Sequence, residues 1–79
     1  MDAATLEKRV LQFVRTELAG RPLVVDADSY LFDDGVIDSL KILQLIAFVE
    51  LQIGRDIPDG DVVMEHFRTV RAMAARFGS

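Results

Sequence analysis

Seventy-nine residues carrying 51% hydrophobic side chains make one small domain with a limited core, which excludes a disordered chain. The absence of cysteine excludes a disulfide scaffold and thiolate metal sites and fits a cytoplasmic protein, and no apolar run approaches the roughly 20 residues of a bilayer span. The net charge of -4 divides into +1 over residues 1–25, -8 over 26–65 and +3 over 66–79, so the acidic middle repels nucleic acid and steers basic protein surfaces toward itself.

The N-terminus, Met1 to Lys8, lacks the basic-then-apolar pattern of a signal peptide. The first predicted helix covers Ala3 to Ala19, where Leu6, Val10, Phe13, Val14 and Leu18 recur at spacings of three and four and form one apolar stripe. Gly20 is placed as its C-cap, and Pro22 cannot continue it. Residues 21–38 then form a long connection. Its apolar start has no second strand to pair with, so it reads as an extended loop that lays Leu23 or Val25 on the core. Leu31 and Phe32 are expected to pin the same loop further on.

Gly35 supplies backbone freedom for a turn inside the acidic stretch Asp33 to Asp38. Asp38 and Ser39 are both good N-cap residues for a second helix, Ser39 to Gln52. That helix is apolar almost all the way round, with Lys41, Gln44 and Gln52 gathered on one side. In so small a protein it cannot be wholly enclosed, so part of it faces the core and part is left for a partner. Gly54 ends it. Ile57-Pro58-Asp59-Gly60-Asp61 is a turn, after which Asp61 is expected to cap a short piece over Val62, Val63 and Met64, with Phe67 as a core anchor. Thr69 caps a last helix, Val70 to Phe77, whose apolar face is Val70, Met73, Ala74 and Phe77. The chain therefore reads as all-α, a four-helix bundle of three longer helices and one short third helix, with a long loop between the first two.

Several chemistries fail on spacing. Setting Gly35 at the sixth place of a calcium-binding EF-hand loop puts Tyr30 first, Phe32 third and Lys41 last, so no metal site is expected there. His66 is the only histidine, and without cysteine it builds no zinc centre. Ser39 lacks the Gly-x-Ser-x-Gly elbow of a triad nucleophile, and the chain has no phosphate-cradling glycine loop. On the residues alone, Ser39 is either a plain helix cap or a hydroxyl placed where a helix N-terminus favours a phosphate.

Gly35-Val36-Ile37-Asp38-Ser39-Leu40 resembles the attachment site of acyl and peptidyl carrier proteins, a glycine followed after one or two residues by Asp-Ser-Leu at the start of the second helix. Ile53-Gly54-Arg55-Asp56-Ile57-Pro58-Asp59 is similar to the family's Gly, Ile-Pro-Asp stretch, and Phe67 with Thr69-Val70 is similar to the approach to its last helix. The resemblance implies a single carrier domain over residues 1–79 that is not itself an enzyme. It implies a 4'-phosphopantetheine arm, moved by a phosphopantetheinyl transferase from coenzyme A onto Ser39, with Asp38 as the helix cap beside it. The arm's thiol would hold an acyl or aminoacyl group as a thioester for delivery to partner enzymes: a loading ligase and a downstream transferase or synthase.

Carriers of fatty-acid synthesis bear acids two and five residues after the serine, where this chain has Lys41 and Gln44. The chain is more similar to discrete aminoacyl or D-alanyl-type carriers. Docking is expected through Leu40, Lys41, Gln44 and Phe48, in a cytoplasmic monomer. The competing reading is a cofactor-free adaptor that binds partner proteins through the apolar second helix.

Overall fold

A computed structural model describes residues 1–18 and 25–78, so the Gly20 cap, Pro22 and the Leu23 anchor lie outside the described residues. Among the described residues all regular structure is helical: α1 (Ala3–Phe13), α2 (Lys41–Ile53), α3 (Met64–Phe67) and α4 (Val70–Phe77). The bundle is the one the apolar periodicities predict.

Asp2 starts α1, its Oδ1 accepting the Thr5 amide at 2.8 Å. Beyond Phe13 the helix widens into a π turn over Val14–Leu18. The core positions of this helix, Leu6, Val10, Val14 and Leu18, are all fully buried at a uniform spacing of four. Four α-helical residues overshoot a full turn by about 40°, so such a stripe drifts off the core. A π turn holds more residues and falls short instead, which returns Leu18 to the face of Leu6.

α2 runs antiparallel to α1. Arg9 Nη1 donates to Gln52 Oε1 at 2.9 Å, Phe13 stacks on Phe48 with ring centroids 4.1 Å apart, and Lys41 Nζ donates to the Leu18 carbonyl at 2.7 Å. Only Leu45 and Val49 of α2 are fully buried. α4 lies along α1 and buries Val70, Met73, Ala74 and Phe77, with Thr69 Oγ1 accepting the Ala72 amide at 3.0 Å.

Asp61 does not cap the third helix. Pro58 and Gly60 favour a tight turn, and Asp59–Asp61 forms a 3₁₀ turn, so α3 begins later, at Met64. Asp61 holds the end of the chain instead: its carboxylate accepts from Arg76 Nη2 at 2.7 Å, and its carbonyl accepts from His66 Nδ1 at 2.8 Å. Phe67 is buried within α3 and meets the Phe77 ring at 5.4 Å.

The long connection is pinned at both apolar and polar points. Val25, Leu31, Val36 and Ile37 are buried, while Phe32 is half-buried against the core. The Leu31 amide donates to the Arg68 carbonyl at 3.0 Å, and the Arg71 amide to the Ala27 carbonyl at 2.9 Å. Arg71 also forks onto both oxygens of Asp28 at 2.7 and 3.1 Å.

Candidate attachment site

The site is built from the turn that ends the long connection. Val36 and Ile37 both donate to the Leu31 carbonyl, at 2.9 and 3.1 Å, which folds the chain back on itself. Gly35 takes φ 74° to close this reversal, a conformation that L side chains adopt at a cost. Burial of Val36 and Ile37 then fixes the next residue, Asp38, at the mouth of α2.

Asp38 Oδ1 accepts the amides of Leu40 at 3.0 Å and Lys41 at 2.9 Å, and its carbonyl accepts from Ile42 at 3.1 Å. Asp38 therefore caps the second helix, and Ser39 stands one residue inside that cap. The Lys41 amide first, with the Leu40 amide and the Lys41 charge behind it, holds the Asp38 carboxyl below its ordinary value against a smaller opposing desolvation. The site thus combines a fixed carboxylate with a helix N-terminus.

Ser39 is exposed, and its hydroxyl has no hydrogen-bond partner among the described residues. Because Asp38 performs the capping, the hydroxyl is left outward. An outward hydroxyl with open space beside a helix N-terminus fits a phosphodiester substituent sterically and electrostatically. Among the described residues no group of three or more His, Asp or Glu side chains is arranged to hold a metal ion.

The other residues singled out in the sequence separate into two sets. Leu40 and Gln44 face solvent, Leu40 being 75% exposed. Lys41 and Phe48 are half-buried and turned toward α1, through the Leu18 carbonyl and the Phe13 ring. The sequence reading missed Leu43, 65% exposed, and Leu51, 76% exposed. With Leu40 and Ala47 they share one side of α2 at steps of three and four, a pattern that a helical wheel contains but cannot orient without knowing which face is buried. An apolar hollow of about 190 Å³ lies between the connection, α2 and α3, lined by Phe32, Ile42, Val62, Val63, Met64 and Phe67.

Residues 8–77 match the family model described as "Phosphopantetheine attachment site". The chain is also similar to "D-alanyl carrier protein 2" of Lactiplantibacillus plantarum, 25% identical over 72 residues, which is 91% of this chain and 90% of that protein. Among solved structures it is similar to a chain in one described as "Crystal structure of FAD-dependent dehydrogenase", with TM-score 0.74 and 31% identity over 84% of this chain and 94% of that one.

Proposed function

The chain belongs to the phosphopantetheine attachment site family, and on that premise we propose that its arm is carried by Ser39 and presents an acyl or aminoacyl group to partner enzymes. Members of the family bear 4'-phosphopantetheine covalently and act as carriers, not as catalysts. The observation that carries the assignment to Ser39 is the exposed hydroxyl, without a hydrogen-bond partner among the described residues, one residue after the capping Asp38. When bound, the group supplies a terminal thiol on a flexible arm, which holds cargo as a thioester. Ser39 Oγ anchors it, Asp38 fixes the turn that presents Ser39, and the start of α2 offers its dipole to the phosphate.

Likeness to a D-alanyl carrier supports an aminoacyl cargo. Likeness to a chain in a structure described for an FAD-dependent dehydrogenase supports an oxidoreductase among the enzymes that act on that cargo. The described residues hold no parallel sheet of the kind that holds a dinucleotide, so the flavin would belong to the partner. A phosphopantetheinyl transferase and a loading ligase complete the set. Docking centres on the exposed part of α2, at Leu40 and Gln44 with Leu43 beside them, while Lys41 and Phe48 brace it from the α1 side. The working unit is a single monomeric domain in the cytoplasm; no helix of the described residues is long and apolar enough to cross a membrane.

The deciding experiment is the intact mass after incubation with coenzyme A, magnesium and a broad-specificity phosphopantetheinyl transferase. The expected result is a gain of one phosphopantetheine, mapped to Ser39 and absent from a folded Ser39→Ala variant. A folded chain that gains nothing would reject the carrier reading in favour of a cofactor-free adaptor using the exposed leucines of α2.

A further inference from the structure

We propose that Lys41 is a positioning residue for Ser39, latching the start of α2 to the end of the first helix through the Leu18 carbonyl. The inference rests on the carrier reading for its kinetic consequence, though not for its structural one.

Ser39 and Leu40 are exposed, so burial does not fix them. The other directional contacts between the two helices lie well along α2, at Phe48 and Gln52. At 1.5 Å per residue these are about 10 and 16 Å beyond Lys41 along the helix axis. Val36 and Ile37 are buried just before the turn and Ile42 is half-buried just after it, but Ser39 and Leu40 themselves are left to solvent, and exposed residues of this kind open readily. Two bonds oppose that opening here, the Asp38 cap and the 2.7 Å bond from Lys41 Nζ to Leu18. The cap is local and moves with the turn it closes. The Lys41 bond crosses to another helix, so it ties that turn directly to the first helix, beside the burial of Val36 and Ile37 that sets Asp38.

The chemistry at both ends suits a latch. A backbone carbonyl oxygen carries partial negative charge, which an ammonium complements. Lys41 is half-buried, with its charge directed inward. Its backbone amide is meanwhile held by Asp38. Lys41 therefore joins the cap of α2 to the π turn that follows α1, two residues from the hydroxyl to be modified.

In the modification Ser39 Oγ bonds to the pantetheine-bearing phosphorus of coenzyme A and gives up its proton to a base of the transferase and thence to solvent, while the bond from that phosphorus to the adenine nucleotide breaks and adenosine 3',5'-bisphosphate leaves with the bond's electron pair. A nucleophile displaced by about 1 Å can lose up to about a hundredfold in rate with no change in what is bound. Loss of the latch should thus appear in kcat. Loss of a docking contact would appear in KM.

The test uses the full chain as the varied substrate of the transferase, comparing Lys41→Met, which keeps the apolar stem, with Lys41→Arg, which can still donate to Leu18. Lys41→Met is expected to lower kcat about fivefold or more with KM within about twofold, and Lys41→Arg to recover most of the loss. Amide hydrogen exchange at Leu40 to Leu43 should quicken about tenfold in Lys41→Met while α4 keeps its protection. An unchanged kcat, a rise in KM alone, an arginine variant as slow as the methionine one, or exchange that quickens equally in every helix would each overturn the proposal. If Lys41→Met does not fold, the wild-type chain decides: the Lys41 and Ile42 amides should be protected like the middle of α2, and exchange as fast as at a frayed end overturns the latch. A wild-type chain that takes no phosphopantetheine would sink the carrier reading, while the exchange measurement would still judge the latch.

Discussion

Asp38 binds two backbone amides only through its charged carboxylate at full strength, so its contribution is written into the acid side of the stability curve. Its folded pKa lies below the ordinary 3.8, chiefly because of the Lys41 amide. The unfolded chain therefore takes up this proton first as pH falls. The stabilisation is fully present above about pH 4 to 5 and is lost as pH drops through the lower folded value. Asn is as good a cap without the charge. Asp38→Asn should keep the fold near neutrality and show a shallower loss of stability below about pH 4 in urea titrations than the wild type. Asp2 and Asp28 are shifted the same way by Thr5 and Arg71, so the wild-type slope sums several groups and only the difference isolates Asp38. Gly35 offers a second residue-scale test. A Cβ there meets no atom within 4 Å, so Gly35→Ala should cost only the left-handed backbone, about 1–2 kcal/mol by chemical denaturation.

At the scale of elements, stripes were legible and orientations were not. Val70 to Phe77 follows from its apolar spacing together with Thr69 and Gly78, and the observed helix has those bounds. The π turn was not read from the sequence, because spacings of three and four over Leu6, Val10, Phe13, Val14 and Leu18 pass for one α-helical stripe until burial singles out the four residues at a uniform spacing of four. Asp61 misled because a capping side chain and a side chain within a 3₁₀ turn look alike in one dimension. The Lys41 bond was invisible for a different reason: its partner is a backbone carbonyl 23 positions away, which carries no side-chain signature. Two predictions follow from orientation. Leu43→Gln should leave stability within about 0.5 kcal/mol, since the side chain is already solvated, yet raise KM for a docking enzyme. Phe67→Ala should cost about 3–5 kcal/mol, because its ring is buried where α3 meets Phe77.

The whole molecule is a division between a closed core and one accessible edge. The acids of the middle segment and the exposed leucines of α2 lie near Ser39 in sequence, whereas Arg71 and Arg76 are bound to Asp28 and Asp61. Those surface pairs contribute little individually. Their use is to join the long connection and the 3₁₀ turn to α4. The basic C-terminal segment legible in the charge pattern is therefore largely paired within the fold, with Asp28 and Asp61 of the acidic segment.

The antiparallel order of the first two helices also separates two poles. Leu18 adjoins Lys41 near Ser39, while Gly78 packs against Ala3 so closely that a Cβ on it would sit 2.6 Å from the Ala3 Cα. About fifteen helical residues, on the order of 20 Å, lie between Ala3 and Leu18. Both resolved extremities therefore gather at the pole remote from the hydroxyl. A bead, a surface or a neighbouring module joined at either extremity would hold the molecule by its base and leave the modifiable serine facing outward. Chains immobilised through the C-terminal end should accordingly be modified as completely as free ones, with the adjoining end of α1 left as a second equivalent anchorage.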